Sequence, residues 1–213
     1  MQIAILLFDR LTVLDAIGPY QVLHAVPDSE VVFVGERKGL IRDEDTGLGL
    51  MADAALSDVP NPDIIVVPGG AGQHDHMTEG PVHQWLRAAD ATSTWTTSVC
   101  TGSLILAAAG LLDGRRATSH WLAVPTLAEY GAIPTRERVV MDGKYVTAAG
   151  VSAGIDMGLT LLASIAGDEY AQQVQLGIEY DPQPPFNAGS PDTAPQELVA
   201  RARARSRFAL QQS

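Results

Sequence analysis

Ser98-Val99-Cys100-Thr101-Gly102 sets the single cysteine of the chain between an apolar run and a helix-forming run. Small residues two positions to either side of a nucleophile let a strand turn sharply into a helix and hold the central side chain out at the turn. At a helix N-terminus, unpaired N–H groups and the positive end of the dipole favour thiolate over thiol. Spacing alone leaves two readings of Cys100 level: a nucleophile, or a buried free cysteine acting as a small hydrophobe. Asp15 is the only charged residue in the apolar stretch Leu11–Leu23 and, taken by itself, reads as a helix cap or turn carboxylate. Between the two in sequence lies Pro68-Gly69-Gly70-Ala71-Gly72, whose glycines permit close backbone approach and offer bare N–H groups to an anion. It lacks the Lys and Ser/Thr of a phosphate loop and has no G-x-G-x-x-G spacing, which excludes a nucleotide site.

The histidines carry weaker signals. His74 and His76 flank Asp75, but no second ligand pair of zinc-like spacing accompanies them, so the segment reads as a surface loop and no metal is expected. His24 and His83 fall in helical patterns as structural or exposed residues. His120 follows Arg116-Ala117-Thr118-Ser119, a short segment leaving the helix after Cys100, and so can return to the cysteine. It stands as a second-tier site residue, with packing as its alternative role.

These residues need elements to bring them together. Short β-branched runs at Ile3–Phe8, Val31–Val34, Ile64–Val67, Thr94–Val99 and Tyr145–Ala148 predict strands, several apolar on both faces as in a covered parallel sheet. Helical patterns alternate with them at Pro19–Val26, Pro81–Ala91, Gly102–Leu112, Leu122–Tyr130, Ala153–Ala166 and Glu169–Tyr180, with Pro19 and Pro81 suited to a first turn. The alternation predicts a single-domain α/β fold, a doubly wound and mostly parallel sheet with helices on both faces. Ligands of such sheets bind beyond the carboxyl ends of the strands, where Cys100, Asp15 and the glycine loop all fall.

Composition removes other classes. At 213 residues and 46% hydrophobic, the chain can bury a full core, and 14 basic against 25 acidic residues give a net charge of −11, which repels nucleic acid and anionic membranes. One cysteine makes no internal disulfide, MQIAILLFDR reads as a first strand and not as a signal peptide, and no window reaches the roughly 18 apolar residues of a membrane span, so a cytoplasmic protein is expected. The stretch 181–195, rich in Pro, Gly, Ser and Asn, predicts an arm before a last helix from Gln196, all part of one domain over 1–213. Arg201, Arg203, Arg205 and Arg207 read as a solvated helix face.

Taken together, LDAIGP around Asp15, VVPGGAG at 66–72, SVCTGSLILAAAGLLDGRRATSHW at 98–121, ERVVMDGKYVTAAGVSAGIDMGL at 137–159 and PPFNAGSPDTA at 184–194 resemble the ThiJ/PfpI superfamily over essentially the whole chain, and within it the isonitrile hydratase branch. The resemblance implies a flavodoxin-like sheet with a nucleophile elbow, a cofactor-free enzyme and a homodimer. It implies Cys100 as nucleophile, Asp15 as its carboxylic partner, Thr101 as a neighbour holding the site, and Gly70 as an oxyanion-type N–H beside the Thr101 amide. The substrate implied is a small-molecule isonitrile, hydrated to an N-substituted formamide through a covalent thioimidate. Many relatives carry glutamate at the place of Asp15, and the protease-like branch carries histidine at the place of Thr101, which removes the base that peptidase activity would use. Two other functions share the elbow: a cofactor-free glyoxalase-type thiol enzyme, and a sensing domain related to AraC-type regulators.

Overall fold

The structure is a computed structural model and describes residues 1–43 and 47–208. In chain order the elements are β1 Gln2–Leu6, α1 Val13–Leu23, β2 Glu30–Gly35, β3 Gly39–Arg42, β4 Gly49–Ala52, β5 Ala54–Ala55, β6 Ile64–Val67, α2 Pro81–Asp90, β7 Trp95–Val99 and α3 Gly102–Ala108. There follow β8 Arg116–Ala117, β9 Ile133–Pro134, β10 Val139–Asp142, β11 Tyr145–Ala148, α4 Ala153–Ala166, α5 Asp168–Gly177 and α6 Gln196–Arg205. The five predicted strands are β1, β2, β6, β7 and β11. They form the parallel body of a seven-stranded sheet of order β10-β11-β7-β6-β1-β2-β5, with β10 the one antiparallel strand, at an edge.

β6 is buried at every position, because helices cover both faces of the sheet. α1, α4 and α5 pack into one layer, and α2 and α3 form the other. The strand order reverses between β1 and β6, and a doubly wound sheet opens a crevice beyond its strand ends at such a reversal. Asp15 follows β1, the glycine loop follows β6, and Cys100 follows β7.

Several boundaries differ from expectation for physical reasons. The first helix begins at Val13, so Pro19 lies inside α1. There its ring faces Gly154 of α4, where a side-chain Cβ would stand 3.0 Å from Pro19 Cδ, and four residues on a Cβ at Gly158 would meet Val22 at 2.9 Å. Glycines one turn apart on α4 thus admit α1 at close range, and this packing tolerates the missing N–H of Pro19. The region 124–130 forms 3-10 turns instead of an α-helix. The hairpin of β3 and β4 and the edge strand β10 have short, mixed-polarity sequences without the strong apolar runs of the core strands.

Arg207 corrects the reading of the C-terminal arginines. It lies in a turn beyond α6 and reaches back to the glycine loop, donating to the carbonyls of Ala71 (2.8 Å) and Gly70 (3.1 Å) and to Gln73 Oε1 (3.0 Å).

The junction of β6 and α3 depends on absent side chains. A Cβ at Gly102 would lie 2.1 Å from the Val67 carbonyl oxygen and 2.7 Å from that of Pro68. Alanine is the better helix former by about 1 kcal/mol, but here the clash decides the sign. Gly102→Ala should lower the melting temperature, whereas Gly177→Ala on α5, where no atom lies within 4 Å of the added Cβ, should leave it equal or slightly higher. Parallel thermal melts check both signs.

Candidate active site

Strand β7 ends at Val99, and the chain turns through Cys100 at φ +56 before α3 begins. A non-glycine residue at positive φ costs of order 1–3 kcal/mol and persists only where its surroundings hold it. They do so here. The Cys100 N–H donates to the carbonyls of Ala148 (3.1 Å) and Ala149 (2.9 Å), while its carbonyl accepts from the hydroxyls of Ser103 (3.2 Å) and Ser119 (3.0 Å). The sharp turn foreseen from the spacing is present, and the thiol is buried.

Asp15 lies in the first turn of α1 and is fully buried. Its Oδ2 accepts from the Gly69 N–H at 2.9 Å, and Oδ1 has no hydrogen-bond partner among the described residues. The Cys100 thiol stands near enough that the two groups shift each other's ionisation. Burial pushes the Asp15 carboxyl up to about 7, against the pull of the Gly69 N–H and the thiol. Burial likewise pushes the thiol up to about 12; the Asp15 charge adds to it, and the backbone N–H groups of Val151 and Thr101, directed at the sulfur, oppose it.

This overturns the expectation of a thiolate favoured by the helix terminus. α3 has only 7 residues, and removal from water beside a carboxylate outweighs its dipole. The two groups instead share a proton: the pair loses its first near pH 7 and its second near 12, and holds one across the interval.

The glycine loop is built for contact and not for an anion. A Cβ at Gly70, which has φ +134, would stand 2.5 Å from the Thr12 nitrogen, and one at Gly69 would stand 2.5 Å from that of Thr101. The N–H groups of the three glycines are already engaged, Gly69 on Asp15, Gly70 on Thr101 Oγ1 (3.1 Å) and Gly72 on the Arg10 carbonyl (3.0 Å). Gly70 therefore presents no open N–H in this arrangement. The Thr101 hydroxyl accepts from it and donates back to the Gly70 carbonyl at 3.3 Å, which ties the elbow to the loop.

His120 does return to the site's surroundings. A Cβ at Gly150, the residue before Val151, would stand 2.9 Å from its ring. Burial and the nearby Arg207 cation hold its pKa below the usual range, so the ring is neutral at pH 7. The other histidines lie apart. His76 packs edge-on against Phe8 at 5.0 Å, Asp75 pairs with Arg10 at 2.6 Å, and buried His83 bonds the His76 carbonyl at 2.8 Å. Among the described residues no group of three or more His, Cys, Asp or Glu is arranged to hold a metal, and no helix is long and apolar enough to cross a membrane.

Sequence reasoning missed Val151 as a backbone donor, because a main-chain N–H leaves no residue-type signature, and it missed Arg207 because its partners are carbonyls 136 and 137 residues away.

Residues 1–164 match the model of the DJ-1/PfpI family. The chain belongs to the DJ-1/PfpI family. It is 47% identical over 207 residues to a protein named isonitrile hydratase from Pseudomonas putida, covering 97% of this chain and 90% of that one. The crystal structure of a ThiJ/PfpI family protein from Pseudomonas syringae, 38% identical, superposes with a TM-score of 0.93 over 98% of this chain and 87% of its own. Drosophila melanogaster DJ-1beta, at 22% identity and a TM-score of 0.75 over 85% of this chain and 98% of its own, shares the fold. A transcriptional regulator of Pseudomonas aeruginosa, CdhR, is 39% identical over 130 residues, 60% of this chain and 38% of the regulator.

The raised Asp15 pKa has a consequence for stability. The unfolded carboxyl titrates at 3.8 and the folded one at about 7, so the folded state binds more protons between those values and stability falls as pH rises through them. Above pH 7 the ionised carboxylate costs up to roughly 4 kcal/mol. Asp15→Asn, which can keep the Gly69 N–H contact, should melt several degrees above the parent at pH 8, with the difference shrinking by pH 5. Thermal melts across that range check it, and an Asn variant equal to or below the parent at pH 8 contradicts the shift.

Proposed function

We propose that this chain hydrates isonitriles to N-substituted formamides, with Cys100 as nucleophile and Asp15 as the group that gives and takes the proton. The observation that carries the reading is the buried Asp15–Cys100 pair, in which burial raises both pKa values so that one proton stays with the pair above about pH 7. The near full-length similarity to the Pseudomonas putida isonitrile hydratase supports the choice of substrate.

The chemistry follows from that proton. An isonitrile carbon accepts a soft nucleophile only if a proton arrives as charge develops. With the proton on Asp15 the sulfur is a thiolate, held by the Val151 and Thr101 N–H groups. Sulfur bonds to the terminal carbon, the carboxylic acid delivers its proton to the same carbon, and a covalent thioimidate, R–N=CH–S, results. The carboxylate left behind takes a proton from water as the oxygen attacks this carbon and returns it to nitrogen. The C–S bond then breaks as the carboxylate takes the hydroxyl proton, giving R–NH–CHO and the starting pair of thiolate and carboxylic acid. One difficult hydration becomes two easier steps.

In this scheme Thr101 and Gly70 are positioning residues that fix the elbow against the loop, and His120 borders the site in its neutral form. Asp15 in place of glutamate weighs against a glyoxalase-type reaction. The proposal extends to one domain over 1–213, supported by the reach of Arg207 from beyond α6 to the glycine loop. It also covers a homodimer and a cytoplasmic location, where a working thiol stays reduced.

Cys100→Ala should abolish formamide production from an aryl isonitrile while the protein stays folded. Asp15→Asn should remain folded and lower turnover by at least ~10²-fold, the scale of general acid–base catalysis. Turnover within a few-fold of the parent would make Asp15 structural. Because the reactive pair holds one proton, kcat/KM should rise with pH through about 7 and stay high into the alkaline range, and Asp15→Asn should lose that step. A rise near the free-thiol value of about 8.5, unchanged in Asp15→Asn, would contradict the shared proton. Light scattering should return twice the 22.6 kDa chain mass, and a monomer mass across a concentration series would rule out the dimer.

A further inference from the structure

Beside the elbow lies a groove of about 230 Å³ that the scheme above leaves unused. Its inner wall is formed by Ser119 and Ala149, each one hydrogen bond from the Cys100 backbone. The indole of Trp121 supplies an apolar surface, and the arm closes the far side with Gly189–Asp192. His120 lies between Ser119 and Trp121 in sequence, with its ring against Gly150. The volume falls below the roughly 300–1,000 Å³ of sites for drug-sized ligands and suits a single substituted ring.

The charges in the groove are uneven. Arg138 is taken by Asp156 and Glu137 by Arg116, each at 2.5 Å. Arg136 and Arg203 remain without an ion pair among the described residues, against the single carboxylate of Asp192. Arg203 lies 5.8 Å from the Trp121 ring centroid, and both arginines also line the adjoining depression toward Phe208. A chain of net charge −11 thus presents, in a groove next to its candidate site, two guanidinium groups without an ion pair among the described residues, one of them over the Trp121 ring. Guanidinium groups pair with carboxylates through parallel N–H donors, and indole stacks on flat rings.

We propose that this groove receives the R group of the substrate and selects an aromatic isonitrile bearing a carboxylate, the ring on Trp121 and the anion between Arg136 and Arg203. The inference rests on the hydratase reading for the reacting end of the ligand, but the groove can be tested without turnover. Both arginines are exposed, and exposed ion pairs are individually weak, so a preference of about tenfold is expected from the two together.

The test measures calorimetric binding of 4-formamidobenzoate against its neutral amide 4-formamidobenzamide, together with turnover of 4-isocyanobenzoate against 4-isocyanobenzamide. The proposal predicts about tenfold tighter binding of the carboxylate and a similar preference in kcat/KM, both lost in the Arg136→Gln/Arg203→Gln double variant. Trp121→Ala should weaken the carboxylate and the amide alike. Equal affinity for the two ligands, a preference that survives the double variant, or a binding preference absent from kcat/KM overturns it. A double variant that changes oligomeric mass and leaves binding unchanged also overturns it, by making the groove an interface between copies. Arginine-dependent binding with no formamide from either isonitrile supports the groove and refutes the hydratase activity.

Discussion

A carboxyl group removed from water, with one oxygen on a single backbone N–H and a thiol close by, is the constraint on which the rest of this structure turns. Ionised, Asp15 is an expensive group in that position, and its pKa of about 7 measures the expense. The same burial that makes it costly keeps a proton available at neutral pH, which an exposed aspartate cannot do. Cys100 is subject to the same force. Its thiol titrates high because burial and the carboxylate outweigh a short helix, so the sulfur keeps its proton at rest instead of standing as an isolated thiolate.

Holding two such groups together requires backbone where side chains would stand. α1 carries Asp15 and is drawn in against α4 because Gly154 and Gly158 leave room for Pro19 and Val22. Gly69 and Gly70 let the loop after β6 enter between Thr12 and Thr101, so that one N–H reaches Asp15 and the next reaches the Thr101 hydroxyl. Four hydrogen bonds on the Cys100 backbone hold its positive φ. Arg207 fastens the outside of the loop from the far end of the chain. Fold stability and site geometry are here the same set of contacts, which is why a single added methyl group at Gly102 is expected to disturb both.

The core strands were legible in the sequence because burial on both faces favours short runs rich in β-branched and apolar residues, and Ile64–Val67 and Tyr145–Ala148 begin and end where their runs do. The elbow was legible from the small residues around Cys100. The start of α1 was not, since the usual preference of proline for a first turn yielded to close helix packing, a tertiary effect invisible along the chain. The ionisation of the thiol was misread for a related reason: position at a helix end can be inferred from spacing, but depth of burial cannot. A donor such as the Val151 N–H belongs to the main chain and has no sequence signature at all. The arginine turn at Arg207 looked like one more solvated charge because nothing local distinguishes it from Arg201 or Arg205.

The central claim is that burial beside the Cys100 thiol keeps the Asp15 carboxyl protonated up to about pH 7. An infrared titration of the protonated-carboxyl stretch, assigned by its loss in Asp15→Asn, tests it most directly. The account predicts that the band persists through pH 5 and disappears with a midpoint near 7. A carboxyl already ionised at pH 5, with a midpoint at the ordinary aspartate value of about 4, would contradict it.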